Sequence, residues 1–279
     1  MQEYFKVKHS YNGGDLIALL PGIQYFSKKT GKKAIIYQRL DFPAYYYDGA
    51  AISVKNEEGH SVSFNRYMFD MIKPLLIEQD YIQDFVEWKG EEVDFDMDTT
   101  RDSRLIPMPA GHIHHWAWAI YPELECDLSQ QWINSVKGFY GEEHYFWVKY
   151  RHKIIINRTE RYQNPYITYY FLKDYQDDVV FAGTMDEYKA FCKQWDLKIN
   201  YLDIKNFLEL AQAIKSSKGF IGNQSFCWHL ADAQKKIRVL ELCPQFPNTF
   251  PTGANGYAFY HQKSLEYHFH KLLNQKINL

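Results

Sequence analysis

The feature of this sequence that most restricts its fold is an alternation of short strand-like and helix-like stretches. Tyr4 to His9 alternates like a strand, Gly13-Gly14 breaks it, and apolar residues from Leu16 to Phe26 recur at helical spacing. Lys33 to Tyr37 then reads as a second, buried strand. A strand, loop, helix and strand in this order belong to a parallel sheet with helices on its faces, so the sequence predicts an α/β fold.

The alternation restarts in the second half of the chain, where Ile154-Ile155-Ile156 forms a compact β-branched run. Further strands are predicted over 179–182, 199–202, 219–222 and 239–242, and helices over 185–195, 204–214 (capped by Asp203), 223–234 and 264–273. In the first half, residues 68–79 and 113–121 are predicted helices and 85–88 a strand. We therefore expect two Rossmann-like domains, 1–145 and 146–279, joined near residues 140 to 152, with the last helix packing back across the halves.

Charge and cysteine content exclude several classes of protein. The 279 residues contain 32 Lys and Arg against 34 Asp and Glu, so no strong positive field exists to hold a nucleic acid. The four cysteines lie far apart without a Cys-x-x-Cys pair, which indicates neither a zinc knuckle nor a disulfide framework. No long uncharged apolar run is present, and we expect a cytoplasmic protein without a signal peptide or a membrane span.

One polar cluster, Asn12-Gly13-Gly14-Asp15, follows the first strand. Ligands of α/β sheets bind beyond the carboxyl ends of the strands, where helix N-termini point their N–H groups. Gly13 and Gly14 allow a ligand to approach the backbone, and Asp15 is a carboxylate that could act as a general base. The alternative is that Asp15 only caps the helix.

Two further clusters follow strands of the second half. Gly222-Asn223-Gln224-Ser225 suits a diphosphate held by amides and short side chains, or a glycine turn with Asn or Ser as helix cap. Asn157-Arg158-Thr159-Glu160-Arg161 brings two arginines to a strand end, where they could clamp phosphate oxygens or form an interdomain salt bridge.

Metal chemistry is not favoured by the remaining polar residues. His112, His114 and His115 converge poorly at their spacing, and we expect no metal. Asp94, Asp96 and Asp98 favour a solvated or loop-forming acidic run over a metal-binding Asp-x-Asp. The sequence lacks a Gly-x-Ser-x-Gly elbow, a Walker loop and a Gly-x-Gly-x-x-Gly motif.

Two segments resemble the heptosyltransferase-like glycosyltransferases, also known as family nine. Residues 14–22, Gly-Asp-Leu-Ile-Ala-Leu-Leu-Pro-Gly, are similar to the N-terminal segment of that family. Residues 217–225 with His229-Leu230-Ala231 are similar to its donor-binding segment, although Asn stands here for Asp and Ser for Gly in the turn over 223–225. The resemblance implies a GT-B fold, which is two Rossmann-like domains facing a central cleft, with the acceptor half first and the nucleotide-sugar half second.

The resemblance also implies an activity and a set of residues. It implies metal-independent transfer of a sugar from a nucleotide-diphosphate donor to a glycan or glycolipid hydroxyl, with Asp15 as base, no cofactor, and contact with the inner face of the membrane as an option. The predicted substrate-binding residues are Gly13, Gly14, Asn157, Arg158, Arg161, Gly183, Gly222, Asn223, Gln224, Ser225 and His229. A nucleotide-sugar epimerase of the same fold, with His229 acting on the sugar, and a non-catalytic carbohydrate-binding protein stay open as alternatives.

Overall fold

A computed structural model describes residues 3–44, 54–102, 104–106, 111–135 and 145–275. The chain divides into two compact units: Met1–Asn134 with Asn206–Leu208, and Ser135–Lys205 with Glu209–Leu279. This division falls shortly before the interval of residues 140 to 152 that the alternation predicts.

The first unit is built on a parallel sheet of four strands. Its elements are β1 (Tyr4–His9), α1 (Gly13–Thr30), β2 (Lys33–Gln38), α2 (Arg66–Ile77), β3 (Ile82–Glu87), β4 (Phe95–Asp96) and α3 (His114–Ile120). The strands lie in the order β3-β2-β1-β4, and every pairing is parallel. The buried face of α1 includes Leu16, Leu20 and Ile23, so the predicted helical spacing is confirmed.

The second unit contains a parallel sheet of six strands. Its elements are α4 (Tyr145–Tyr150), β5 (Ile154–Asn157), β6 (Val179–Phe181), α5 (Met185–Trp195), β7 (Asn200–Tyr201), α6 (Phe207–Ser216), β8 (Gly219–Asn223), α7 (Phe226–Ala233), β9 (Arg238–Glu241), β10 (Gly256–Phe259) and α8 (Gln262–Leu273). The strands lie in the order β10-β9-β8-β5-β6-β7, again all parallel.

The strands at the centre of the second sheet are fully buried, as expected for a parallel sheet covered on both faces. Every residue of β5, β8 and β9 is buried. Helix α8 adds Leu265, Phe269 and Leu272 to the same hydrophobic core as Ile154 and Val239. The last helix therefore packs on the sheet of its own unit, and its packing across the two halves stays a prediction.

Some predicted boundaries are wrong by a few residues. Helix α6 begins at Phe207 rather than after Asp203. Asn223 belongs to β8, and α7 begins only after Ser225. Strands β4 and β10 and helix α4 carry no clear sequence pattern and were not predicted. Among the described residues, no helix combines the length and the apolar character needed to cross a bilayer.

Candidate functional site

Each sheet has one point where the order of its strands reverses. In the first unit the chain goes from β1 to β2 and β3 on one side and to β4 on the other. In the second unit it goes from β5 to β6 and β7 on one side, and then to β8, β9 and β10 on the other. Ligands of open α/β sheets bind beyond the carboxyl ends of the strands at such a switch point. The two candidate edges are therefore the end of β1 beside β4 and the end of β5 beside β8.

Asp15 lies at the candidate edge of the first unit, in the first turn of α1. The N-cap position is taken by Asn12, whose side chain makes no capping hydrogen bond, so the structure does not use Asp15 as the cap. Gly13 and Gly14 are the first two residues of the helix, which therefore begins before the apolar spacing that starts at Leu16. The Asp15 carboxylate is 14% exposed and accepts a hydrogen bond of 2.5 Å from Nη2 of Arg101.

Arg101 is a site residue that the sequence did not reveal, because it lies 86 positions from its partner Asp15. Its guanidinium lies 4.5 Å from the ring centre of Trp116 and 5.4 Å from that of Tyr11. Aromatic rings on a planar cation limit its movement, so Arg101 holds the Asp15 carboxylate in a defined orientation. A narrow cavity of about 10 Å³ beside these residues is lined also by His9, and it has room for about one water molecule.

Two aromatic rings near Asp15, those of His9 and Tyr11, have shifted pKa values. Burial lowers the pKa of His9, whose Nδ1 lies 2.8 Å from the Gln38 amide oxygen. Burial, together with the charge of Asp98, raises the pKa of Tyr11 to about 12. Asp15 lies beside these two rings and the Arg101 cation, and an aspartate side chain is the kind of group that can accept a proton from a substrate hydroxyl.

The acidic run of the first unit has a structural role. The Lys8 ammonium lies 3.0 Å from the Asp96 carboxylate and 2.9 Å from that of Asp98. Asp98 also accepts a hydrogen bond of 2.7 Å from the Ser10 hydroxyl, and Asp94 accepts one from the backbone N–H of Lys6. These bonds tie the end of β1 to β4, which agrees with a loop-forming run.

At the edge of the second unit, Asn157, Gly222 and Ser225 form one connected group. Asn157 is paired in register with Gly222, and a Cβ on Gly222 would lie only 2.6 Å from the Asn157 carbonyl oxygen. The Ser225 hydroxyl donates to Oδ1 of Asn157 at 2.6 Å and accepts from the backbone N–H of Trp228. Of the two interpretations of this turn, the helix cap is the role that Ser225 fills.

Asn223 and Gln224 use their side chains to hold neighbouring loops. The Asn223 amide donates to the carbonyl oxygens of Thr159 and Arg161, and its oxygen accepts from the N–H of Thr159 at 2.9 Å. Gln224 donates to the side chain of Asn248 at 2.5 Å. These two side chains therefore shape the edge by joining the loops around it.

The prediction that Arg158 clamps a phosphate needs correction. Its side chain is 3% exposed, and its Nε lies 2.9 Å from the fully buried Glu241 carboxylate. Arg158 also donates to the carbonyl oxygen of Asn164. Burial alone would lower the pKa of Arg158, but the Glu241 charge raises it. A buried cation needs such a partner, so Arg158 forms an ion pair within the second unit.

The other predicted residues differ in exposure. Arg161 is partly exposed beside Tyr162, its guanidinium 5.6 Å from the centre of that ring. Gly183 lies two residues beyond the end of β6 with a φ of +155°, and a Cβ there would lie 2.8 Å from Oε2 of Glu187. His229 is buried within α7.

The described residues contain no group of three or more His, Cys, Asp or Glu that could hold a metal. Nδ1 of the buried His114 lies 3.0 Å from Nδ1 of His112, and the His114 ring packs against Trp132. The His115 ring stacks on Trp118, and its centre lies 5.5 Å from that of His112.

No family model and no curated protein matches this sequence. Solved structures of glycosyltransferases match over nearly the whole chain. E. coli heptosyltransferase WaaC with ADP-2-deoxy-2-fluoro heptose matches with a TM-score of 0.62 and 8% identity, covering 96% of this chain and 99% of that one. E. coli ADP-heptose lps heptosyltransferase II matches with a TM-score of 0.60 and 12% identity, covering 98% of both chains. A glycosyl transferase of family 9 from Veillonella parvula matches with a TM-score of 0.55 and 13% identity, covering 99% of this chain and 90% of that one.

These matches establish the class of fold. The chain has the GT-B fold of the heptosyltransferases, with two parallel α/β units, and the fold implied by residues 14–22 and 217–225 is confirmed. At 8 to 13% identity the likeness is one of fold, because chains that share a fold commonly differ in function.

Proposed function

We propose that this protein is a glycosyltransferase that moves a sugar from a nucleotide-diphosphate donor to a hydroxyl of a glycan or glycolipid acceptor, without a metal. In this reaction the acceptor oxygen forms a bond to the anomeric carbon of the sugar. The bond from that carbon to the diphosphate breaks, and the nucleoside diphosphate leaves. The acceptor proton passes to a base on the protein.

The observation that carries the proposal is the placement of Asp15 beyond the end of β1, beside the switch point of the first sheet. A carboxylate in the first turn of a helix that faces a ligand edge suits a general base. Arg101 supports this role because its hydrogen bond fixes the orientation of the carboxylate. The guanidinium only donates hydrogen bonds, so it does not take up the acceptor proton itself. A capping Asp would need no such partner, and here the cap position belongs to Asn12.

The donor is assigned to the edge where β5 and β8 end in the second unit. The start of α7, fixed by the Ser225 cap, offers backbone N–H groups and the positive end of the helix dipole to the diphosphate. Arg161 supplies a positive charge on the loop that Asn223 fixes. Together they would stabilise the leaving diphosphate, a task that a metal performs in other transferases.

In this proposal Arg158, Asn223 and Gln224 act on the donor indirectly. The Arg158 and Glu241 pair joins the ends of β5 and β9, and Asn223 joins β8 to the loop over 159–161. Preorganised donors stabilise a developing charge only if the supporting shell is rigid. These three side chains, which the sequence assigned to the ligand, thus form the support of the site.

A thermal-shift screen of the full chain across nucleoside diphosphates and nucleotide sugars tests the proposal. A matching donor at about 100 times its Kd should raise the melting temperature by roughly 5 °C. Release of nucleoside diphosphate that depends on an added saccharide acceptor would support transfer. Epimerisation of the donor sugar, or release of nucleoside diphosphate without any acceptor, would favour an epimerase. Saccharide binding whose affinity does not change with any nucleotide would favour a carbohydrate-binding protein. Either result contradicts the proposed function.

A further inference from the structure

The second unit contains a cavity at the amino ends of strands β9 and β10, whereas the donor is assigned to the carboxyl ends of β5 and β8. The cavity has a volume of about 390 Å³. Its lining includes Ile237 and Asn255, which directly precede β9 and β10 and so mark the amino ends of those strands. The donor is assigned to the carboxyl ends, so this cavity is separate from the site described above. Its volume is in the range of small-molecule sites.

The lining combines an apolar floor with polar and basic side chains. Val239 and Leu272 supply apolar surface, and Tyr257, His268 and Lys271 supply polar atoms. His268 and Lys271 lie three positions apart on α8, so they present their side chains on one face of the helix. No acidic residue is among the lining residues that the structure describes.

Tyr257, on the edge strand β10, holds the two basic residues in place. Its ring centre lies 5.0 Å from that of His268, and the ammonium of Lys271 lies 4.7 Å from the Tyr257 ring centre and 3.4 Å from its hydroxyl. Burial and the neighbouring charge of Lys271 lower the pKa of His268. Nδ1 of His268 is buried without a hydrogen-bond partner among the described residues.

This arrangement favours a negatively charged ligand with a flat apolar body. A carboxylate would offset the charge of Lys271, and it would give an acceptor to His268 once that ring donates. The apolar body would cover Val239 and Leu272 and lie against the Tyr257 ring. Lys271 is exposed and its charge is solvated, but it would repel a cationic ligand, and no carboxylate among the described lining residues offsets that repulsion.

We infer that this cavity is a second ligand site that takes a small aromatic carboxylate, held by Lys271 and His268 over a floor of Val239 and Leu272. The inference does not depend on glycosyl transfer, because none of these residues belongs to the proposed donor or acceptor edge.

The test uses 2-naphthoate as the probe, in isothermal titration calorimetry with the full chain. A ligand of this size in a fitting site should bind with a Kd of about 1 mM or tighter. Lys271→Gln should weaken binding about tenfold or more, since a charge-assisted hydrogen bond is lost. His268→Phe, which keeps a ring against Tyr257, should weaken it less. Lys263→Gln alters an exposed residue of the same helix and is the matched control, expected to bind like the unchanged protein.

Two further measurements locate the ligand and its charge. In methyl-labelled protein, 2-naphthoate should shift the resonances of Val239 and Leu272 and leave Leu19 of the first unit unchanged. The neutral analogue 2-naphthamide should bind about tenfold more weakly, because it cannot offset Lys271. Absence of 2-naphthoate binding at 10 times that Kd would overturn the inference. Equal affinity in Lys271→Gln and Lys263→Gln, or shifts only at methyl groups outside the cavity, would overturn it as well.

Discussion

Replacing Glu241 by Gln should destabilise the second unit strongly. The Glu241 carboxylate is fully buried and accepts hydrogen bonds from Arg158 at 2.9 Å, from the N–H of Asn164 at 2.7 Å and from the Tyr169 hydroxyl at 2.8 Å. Glu241→Gln keeps the shape of the side chain but leaves the buried charge of Arg158 without a counter-charge. Removal of one partner of a buried ion pair costs about 3 to 5 kcal/mol.

The assay is the free energy of unfolding from urea titration, with the melting temperature as a second readout. For a chain of this size the cost corresponds to a fall in melting temperature of roughly 10 °C. Asp196→Asn is the matched control, because it neutralises one partner of an exposed pair with Lys173 at a left-handed position that Asn also tolerates. We expect no measurable change in that variant.

A double variant separates the charge from the packing. Arg158→Met combined with Glu241→Leu removes both charges and should recover a substantial part of the stability lost in Glu241→Gln. If Glu241→Gln unfolds at the same urea concentration as the Asp196→Asn control, the account of Arg158 as a buried, paired cation is wrong.

Three further predictions concern single residues. Arg161→Gln should weaken binding of the nucleoside diphosphate about tenfold to a hundredfold in calorimetry, because a charge-assisted hydrogen bond is lost. Lys189→Gln, on the exposed face of α5, is the control and should not change the affinity. Equal affinities of the two variants would show that Arg161 is not part of the donor site. Arg101→Met should lower kcat by about a hundredfold at unchanged donor Kd, because Asp15 loses its fixed orientation, and an unchanged kcat would contradict that role. Because the pKa of His9 is lowered in the folded protein, its contribution to stability is present at a pH above the ordinary pKa of 6.5 and is lost as the pH falls below it. The melting temperature should therefore fall less steeply between pH 7 and pH 5 in His9→Gln than in the unchanged protein. Parallel curves for the two proteins would refute this.

The sequence predicts those parts of the fold that depend on local pattern. The run Ile154-Ile155-Ile156 becomes the central strand β5, because a parallel strand buried on both faces needs apolar residues at every position. Strand β10 lies at the edge of its sheet, and the half-buried segment Gly256–Phe259 carries neither a continuous apolar run nor a clear alternation. Its place depends on pairing with β9, which the local pattern does not encode.

The candidate site was predicted in place but not in detail. The clusters around Asp15, Asn157 and Gly222 all lie at strand ends, as the order of elements predicts, and the strand orders place these ends beside a switch point. The partners of their side chains could not be predicted, because Arg158 pairs with a residue 83 positions away. Which polar residues face a ligand and which support the site is decided by these distant contacts.

The replacement Asp15→Asn shows whether Asp15 is the base, once a donor and an acceptor have been identified. Asn keeps the shape of the side chain and its place in the first turn of α1 but cannot accept the acceptor proton. We expect an unchanged donor Kd and a melting temperature lower by roughly 2 to 4 °C, because Arg101 loses its counter-charge. Sugar transfer should be slower by about a hundredfold to ten-thousandfold. Asp70→Asn, on the exposed surface of α2, is the control and should transfer at the normal rate. Transfer by Asp15→Asn at the rate of the unchanged protein would contradict the assignment of Asp15 as the base.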